Sequence, residues 1–330
     1  MKFINSMKHE FFYQDLFIQL KNRIPQNSKL VEKLTNILSI EKMAVYRRLR
    51  QEVPFTLEEI AAIAREFNIS LDNMLGVDVK TTLSFRLQSV NEDNSLTINY
   101  SLLEKYLQAI KSLTSDPNGE ISLVTNLLPQ PLYSEFNFIH QLYHFKWQYY
   151  STPAPANQIK PYHEIQLPDR LIQNTKDIFT NMKKIKTSFY ILDNQIFKNF
   201  VNDVIYFNSI RLIKDEDVLH IKNELFQFLD YIEAIATKGF VDNPSNKVYI
   251  YISDISIDAS YCYVNSQTSF RFALVWLFIF NSILTYDEEL LKMMKRWIRS
   301  KIRTSILLSV TGEKQRTLYF DTQRKIVEKM

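Results

Sequence analysis

The stretch from Ser28 to Leu75 reads SKLVEKLTNILSIEKMAVYRRLRQEVPFTLEEIAAIAREFNISLDNML and contains several short amphipathic patterns separated by turns. Leu30, Leu34 and Ile37 are spaced i, i+4, i+7, which places them on one face of a helix. Residues 39–41 interrupt this pattern, and a second helix is predicted over residues 41–50. The stretch therefore predicts a compact bundle of short helices.

Two capping signals extend this bundle. Thr56 is predicted to begin a third helix, because a threonine hydroxyl accepts a hydrogen bond from the first turn and acidic residues follow it at 58 and 59. Ser70 is predicted to begin a short fourth helix over residues 71–75, which Gly76 ends. A lead helix over residues 1–24 is expected to support the bundle. The apolar residues assigned to the core are Phe11, Phe12, Leu16, Phe17, Ile18, Leu20, Ala44, Val45, Leu49, Leu57, Ile60, Ile63, Ala64 and Phe67.

Basic side chains occupy the outer face of the second predicted helix. A helix that enters the major groove of duplex DNA needs such a face, because phosphates supply affinity and base edges supply sequence reading. Residues near the start of that helix reach the bases. A run of charge is by itself more often a solvated surface, so this hypothesis depends on the surrounding helical bundle. The residues expected to contact DNA are Glu41, Lys42, Met43, Tyr46, Arg47, Arg48 and Arg50, with Arg48 and Arg50 placed for phosphates.

The stretch resembles the helix-turn-helix domains of bacterial transcriptional regulators of the Cro/C1 type, also called Xre-like. Leu38-Ser39-Ile40 stands at the turn, residues 43–49 resemble the recognition helix, and residues 68–72 resemble the closing segment. Ser39 replaces the turn glycine, Thr35 replaces a small alanine, and the loop at 51–55 is shortened. The resemblance implies transcriptional regulation. A dimer is expected because one small unit buries little DNA surface and operators repeat half-sites about 34 Å apart.

Composition excludes several classes of protein. The chain of 330 residues has a net charge of only +4, so a nucleic-acid interface has to rest on local charge. Its only cysteine, Cys262, permits no intramolecular disulfide, which fits a reducing cytoplasm. Four glycines are too few for a phosphate-binding glycine cluster. The most apolar run, residues 272–284, is shorter than the roughly 20 residues of a membrane-spanning helix, and no secretory signal is expected at the N-terminus.

Changes in pattern along the chain predict a mainly α protein with three parts. Residues 1–77 form the helix-turn-helix bundle, 78–94 a linker, 95–240 a helical middle domain, and 241–330 a small α+β domain with an antiparallel sheet. Strands are predicted over 247–252, 257–264, 270–280 and 304–310, with a basic helix over 287–303. The aromatic helix at 135–150 is expected to form core or a dimer seam. As a whole, this layout is similar to bacterial helix-turn-helix proteins that carry a long C-terminal region.

Candidate chemical sites are few. His140 and His144 have the i, i+4 spacing of metal ligands, but a site needs three or four ligands, so structural positions are expected and no metal or cofactor is predicted. Lys314 and Arg316 follow Gly312 at a predicted helix start and are the candidate site for a small anionic effector. We therefore expect a sequence-specific DNA-binding regulator that is not an enzyme. The alternative is a protein-interaction module whose N-terminal bundle docks a protein and no longer binds DNA.

Overall fold

The computed structural model of the chain describes residues 13, 16–21, 23–24, 26–67, 69, 71, 86–88, 100–151, 159–266, 271–277 and 281–330. The chain divides into two compact units, Met1–Ser84 and Phe85–Met330. Each unit has its own hydrophobic core.

Three helices form the described centre of the N-terminal unit: α1 Asn27–Leu38, α2 Lys42–Leu49 and α3 Leu57–Phe67. Residues 16–21 are also helical. The predicted helices of this stretch are therefore confirmed, with small shifts at their ends. The predicted short helix at 71–75, with Ser70 before it and Gly76 after it, lies outside the described residues except for the helical Leu71.

The core of this unit joins the lead helix to α1, α2 and α3. Its buried members are Leu16, Leu20, Leu30, Val31, Leu34, Val45, Phe55, Ile63, Ala64, Phe67 and Ile69. Two residues assigned to the core lie at the surface instead: Ile18 is 57% exposed and Leu57 is 73% exposed. Ile18 stands two residues from both Leu16 and Leu20, which places it on the opposite side of the helix. Leu57 is the first residue of α3.

The second unit contains eight described strands and eight described α-helices. The helices are α4 Tyr100–Thr114, α5 Gln130–Tyr133, α6 Asn137–Ser151, α7 Asp169–Met182, α8 Ile196–Ser209, α9 Asp215–Lys238, α10 Glu288–Thr304 and α11 Glu313–Glu328. The strands are β1 Arg86–Gln88, β2 Glu120–Thr125, β3 Thr187–Asp193, β4 Lys247–Ser253, β5 Tyr261–Asn265, β6 Arg271–Leu277, β7 Asn281–Thr285 and β8 Ile306–Leu307.

All eight strands belong to one sheet in the order β1-β7-β6-β5-β2-β3-β4-β8. The central strands β2, β3 and β4 run parallel, with Tyr190 of β3 opposite Leu123 of β2 and Ile250 of β4. The other pairs, including β5 with β2 and β8 with β4, are antiparallel. The sheet is therefore mixed.

The expected fold class needs correction in this unit. The predicted antiparallel sheet was confined to residues 241–330, but β2 and β3 come from the region predicted to be all helical and lie at the centre of the sheet. The expected division at residue 240 therefore cuts through one sheet. The strand predicted over 270–280 contains β6, and the strand β7, which was not predicted, follows it and pairs with it antiparallel.

Burial on both faces explains why the central strands escaped prediction. Leu123 and Leu192 contribute to the large core on one face of the sheet, and Val124 and Ile191 contribute to a second core on the other face. Strands covered on both faces are apolar at successive positions, so they lack the alternation that marks a half-exposed strand. On the second face, α10 packs through Leu291 and Ile298.

The aromatic helix α6 lies in the large core. Phe145 is fully buried, and its ring meets the ring of Phe207 edge-on at a centroid distance of 4.9 Å. It also meets Tyr162 edge-on at 6.0 Å. Tyr150, in the last turn of the helix, is exposed. Most of the aromatic stripe therefore packs inside the unit, in line with the core alternative.

Two histidines of α6 are buried in this core. The side-chain nitrogens of His140 have no hydrogen-bond partner among the described residues, and the imidazole lies 6.1 Å from the ring of Tyr133. Burial lowers the pKa of His140 to about 4, and the neighbouring His144 adds to the shift. Burial likewise lowers the pKa of His144 to about 4. Both imidazoles are therefore neutral at pH 7.

Because these histidines are buried in the neutral form, we expect the folded chain to lose stability in acid. Because the pKa of His140 in the folded chain lies below its unfolded value of 6.5, the unfolded state binds the proton more tightly between pH 6.5 and about 4. The free energy of unfolding should fall as the pH falls through this window. In His140→Phe the fall should be shallower, measured by urea unfolding at intervals of pH. His163→Gln, which removes an exposed histidine, is the control. Equal slopes for His140→Phe and the unchanged chain would contradict the prediction.

Candidate nucleic-acid interface

A tight turn sets the angle at which α2 leaves α1. Ser39 ends α1 in the left-handed conformation, with φ 52° and ψ 39°. Glycine is the usual residue for this conformation because a side chain crowds the backbone there. Ser39 therefore adopts the conformation of the glycine that it replaces in the resemblance described above. Ile40 follows it and packs against the core of the unit.

Helix α2 is held by one face and exposed on the other. Val45 is completely buried, and the partly buried Leu49 packs beside it in the core. The opposite face carries exposed residues with hydrogen-bonding, charged and apolar side chains: Glu41, Lys42, Met43, Tyr46, Arg47 and Arg50. Met43 is 63% exposed and Tyr46 is 41% exposed, which is high for residues of their size. Six of the seven predicted contact residues therefore share one accessible surface, here called the α2 surface.

Arg48 is the exception, because it is directed into the bundle. Its guanidinium binds the carboxylate of Glu59 with two contacts of 2.8 Å, Nε to Oε2 and Nη2 to Oε1. The side chains are only 16% and 14% exposed. The expected phosphate contact of Arg48 is therefore corrected: the structure uses this arginine to join α2 to α3.

The same carboxylate completes the cap of α3. The amide of Thr56 donates to Glu59 Oε2 at 2.9 Å, and the amide of Glu59 donates to Thr56 Oγ1 at 3.2 Å. This reciprocal pair is a capping box, which satisfies two backbone donors at the helix start. The predicted cap at Thr56 is confirmed. Sequence reasoning missed that the Thr56-x-x-Glu59 pattern also supplies the partner of Arg48.

Glu52 partly neutralises the α2 surface. Its carboxylate lies 3.0 Å from Nε of Arg50 and 3.8 Å from Nε of Arg47. The left-handed residue Gln51, with φ 62°, turns the chain so that Glu52 returns toward the helix. All three side chains are about half exposed, so water screens these pairs and they are weak. Sequence reasoning did not identify Glu52.

The predicted anion site is not assembled. Arg316 is buried and donates from Nη1 to the carbonyl oxygen of Leu308 at 2.8 Å, whereas Lys314 is exposed to solvent. Gly312 is required for close packing, because a Cβ there would lie 2.1 Å from the carbonyl oxygen of Leu307. The expectation that Lys314 and Arg316 converge on an anion is therefore corrected: Arg316 fixes the connection between β8 and α11.

Metal-ligating residues do not converge in the described part of the chain. No group of three or more His, Cys, Asp or Glu side chains lies close enough there to hold a metal ion. Burial raises the pKa of the Cys262 thiol to about 12, so the thiol stays protonated at neutral pH. Among the described helices, none is both long and apolar enough to cross a membrane.

Comparison with known proteins places the α2 surface inside a family match. Residues 15–102 match the model of the BetR domain, a range that contains α1, α2 and α3 and reaches the first turn of α4. No curated protein matches the chain. Among solved structures, one similar chain comes from work described as "Structure of TrmBL2, an archaeal chromatin protein, shows a novel mode of DNA binding". It is 10% identical, with a TM-score of 0.26 over 86% of this chain and 82% of that chain. This similarity is too low to indicate a common fold.

The buried ion pair predicts a selective loss of stability. Arg48→Ala should destabilise the N-terminal unit by about 2 kcal/mol, because it leaves the nearly buried carboxylate of Glu59 without its charged partner. Arg50→Ala removes an exposed arginine from the same helix and should change stability by less than about 0.5 kcal/mol. Hydrogen–deuterium exchange of peptides from residues 27–67 measures both changes locally. Equal protection in the two variants would contradict the role assigned to Arg48.

Proposed function

We propose that this chain is a DNA-binding transcriptional regulator whose helix α2 enters the major groove of duplex DNA. One observation carries the proposal: Val45 and Arg48 fix α2 in the bundle while Lys42, Tyr46 and Arg47 remain exposed on its outer face. A helix presented in this way fits the groove, which admits an α-helix and displays base edges to its side chains. The family match to residues 15–102 covers the same helices.

The exposed side chains suit the chemistry of DNA. Lys42 and Arg47 are hydrogen-bond donors for guanine edges, Glu41 is an acceptor for the amino group of cytosine, and Met43 offers an apolar contact for the thymine methyl group. Arg50, at the end of the helix, is placed for a phosphate oxygen. In this proposal Arg48 acts on binding only through the position of α2.

The remaining parts of the proposal concern assembly and location. We propose a homodimer in the cytoplasm, because two copies read two half-sites and increase the DNA surface buried. The second unit then serves dimerisation or signal sensing. The expected absence of catalytic activity belongs to the same proposal.

A specific observation also supports the docking alternative. Met43, Tyr46 and Leu57 are exposed apolar residues of the N-terminal unit, and Glu52 offsets two of the arginines near them. Exposed apolar patches with a charged rim often bind proteins. The two functions differ in salt dependence, because phosphate contacts displace condensed counterions and contacts with a neutral protein surface do not.

Arg47 provides the direct test of DNA binding. The affinity of the full chain for a fluorescent 30-base-pair duplex pool of random sequence is measured by anisotropy over a range of salt concentrations. Arg47→Ala should weaken binding about five-fold or more, and Arg50→Ala, which removes the proposed phosphate contact, should lower the log–log salt slope by about 0.9. Arg65→Ala, which removes an exposed arginine of α3, should leave the slope unchanged. An unchanged chain that shows no salt-dependent binding would favour the docking alternative.

Glu52 provides a test in the opposite direction. Glu52→Gln removes the carboxylate that competes with DNA for Arg47 and Arg50, so duplex affinity should increase by up to about five-fold at low salt. Glu66→Gln is the matched control, because Glu66 is an exposed glutamate of the same unit that pairs with Lys33 instead. Equal gains in the two variants would mean that net charge, and not release of the α2 arginines, causes the effect.

A further inference from the structure

A cavity of about 130 Å³ lies inside the second unit, between the sheet and four of the described helices. The sheet side is formed by residues of β2, β5 and β6, among them Leu123, Cys262 and Leu274. The helical side is formed by residues of α4, α5, α6 and α7, among them Tyr106 and Ile178. The cavity is thus bounded by elements that come from distant parts of the chain.

The described walls of this cavity carry no charge. Among the described residues that line it, none is an Asp, Glu, Lys or Arg. The two lining groups that titrate nearest to neutrality, His144 and Cys262, are both neutral at pH 7, because burial moves their pKa values to about 4 and about 12. An ion that entered would lose its hydration without gaining a partner. The cavity therefore selects against charged molecules.

Most polar atoms of the walls already have protein partners. The hydroxyl of Tyr106 lies 2.9 Å from Oγ of Ser282, and the hydroxyl of Thr175 donates to the carbonyl oxygen of its own helix at 2.8 Å. The amide side chain of Gln130 is different, because it makes no hydrogen bond within the described part of the chain. Gln130 also lines a smaller neighbouring pocket of about 30 Å³. Its amide is a polar group that a molecule in the cavity can use.

The volume of the cavity matches a molecule with one aromatic ring, such as benzene. Protein interiors are closely packed, and voids larger than a water molecule are few. An engineered apolar cavity of about 150 Å³ stays dry and takes up benzene. Natural ligand sites are likewise mainly apolar with a few polar groups that fix orientation. The combination of volume, neutral walls and one free amide therefore describes a ligand site better than a packing defect.

We propose that this cavity binds an uncharged, ring-sized molecule with at most one hydrogen-bonding group, of the kind represented by benzene, phenol or indole. Leu103 and Tyr106 of α4 contact the ligand, and α4 is the first described helix that follows the N-terminal unit in the chain. The ligand therefore stabilises the packing of α4 against the sheet. Its effect on DNA affinity rests on the function proposed above, whereas binding itself does not.

Binding is tested on the full chain with benzene, phenol and indole as probes and benzoate as the charged counterpart of benzene. The neutral probes should raise the melting temperature by several degrees at saturation, because they bind only the folded chain, and benzoate should not. Ile178→Trp fills the cavity and should raise the calorimetric Kd of indole at least about ten-fold. Ile205→Trp makes the same substitution at an exposed position of α8 and should leave the Kd unchanged.

Leu103→Phe is the second filling variant in case Ile178→Trp fails to fold, since Leu103 is only half-buried. Binding of no neutral probe to the folded chain would overturn the proposal and identify the cavity as a void. Equal affinity for benzoate would overturn the assignment of an uncharged ligand. Binding that survives both filling variants would place the probe elsewhere and would also overturn it.

The regulatory consequence is tested by the duplex anisotropy assay with and without saturating indole. Duplex affinity should change at least about five-fold, and the change should disappear in Ile178→Trp. Calorimetric binding without any change in duplex affinity would retain the cavity and overturn the regulatory role. A chain that binds indole but no duplex would overturn the proposed function together with this role and leave the cavity site standing.

Discussion

The candidate interface depends on the bond between Arg48 and Glu59. This pair fixes the last turn of α2 against the capped start of α3, and Val45 fixes the middle of α2 in the core. A recognition helix has to meet DNA as a rigid body, because contacts with base edges are lost when the helix shifts by a fraction of its width. The pair is nearly buried, so it is screened less than the exposed pairs around Glu52. Helix α2 is therefore fixed in place by two of its side chains, Val45 and Arg48, while other side chains of the same helix are exposed to solvent.

The second unit depends on a different constraint, the burial of both faces of its central strands. Parallel strands need a crossover between them, and here α5 to α7 connect β2 with β3 while α8 and α9 connect β3 with β4. These crossovers supply the helices that cover one face, and α10 covers part of the other. The same arrangement creates the cavity, because α4 to α7 meet strands β2, β5 and β6 with side chains that do not fill the space between them.

The candidate binding sites of the two units differ in charge. The α2 surface is cationic, exposed and screened by solvent, which suits a polyanion that releases counterions on binding. The cavity of the second unit is apolar and neutral, and the low pKa of His144 follows from the same exclusion of water. Arg316, which was expected to attract an anion, instead donates a hydrogen bond to the backbone carbonyl of Leu308. The two proposed partners, a neutral ring-sized ligand and anionic DNA, would therefore meet different chemical environments within one chain.

The sequence by itself determined the helices of the N-terminal unit, because α1, α2 and α3 are amphipathic and the Thr56 cap is local in the chain. It also determined which face of α2 carries cations. The tertiary structure alone decided that Arg48 points inward, since its partner Glu59 lies eleven residues away on another helix. It alone decided that β2 and β3 form the centre of a mixed sheet, because strands buried on both faces have no alternating pattern. The cavity had no signal in the sequence at all, since its walls are assembled from residues up to 173 positions apart, Leu103 to Trp276.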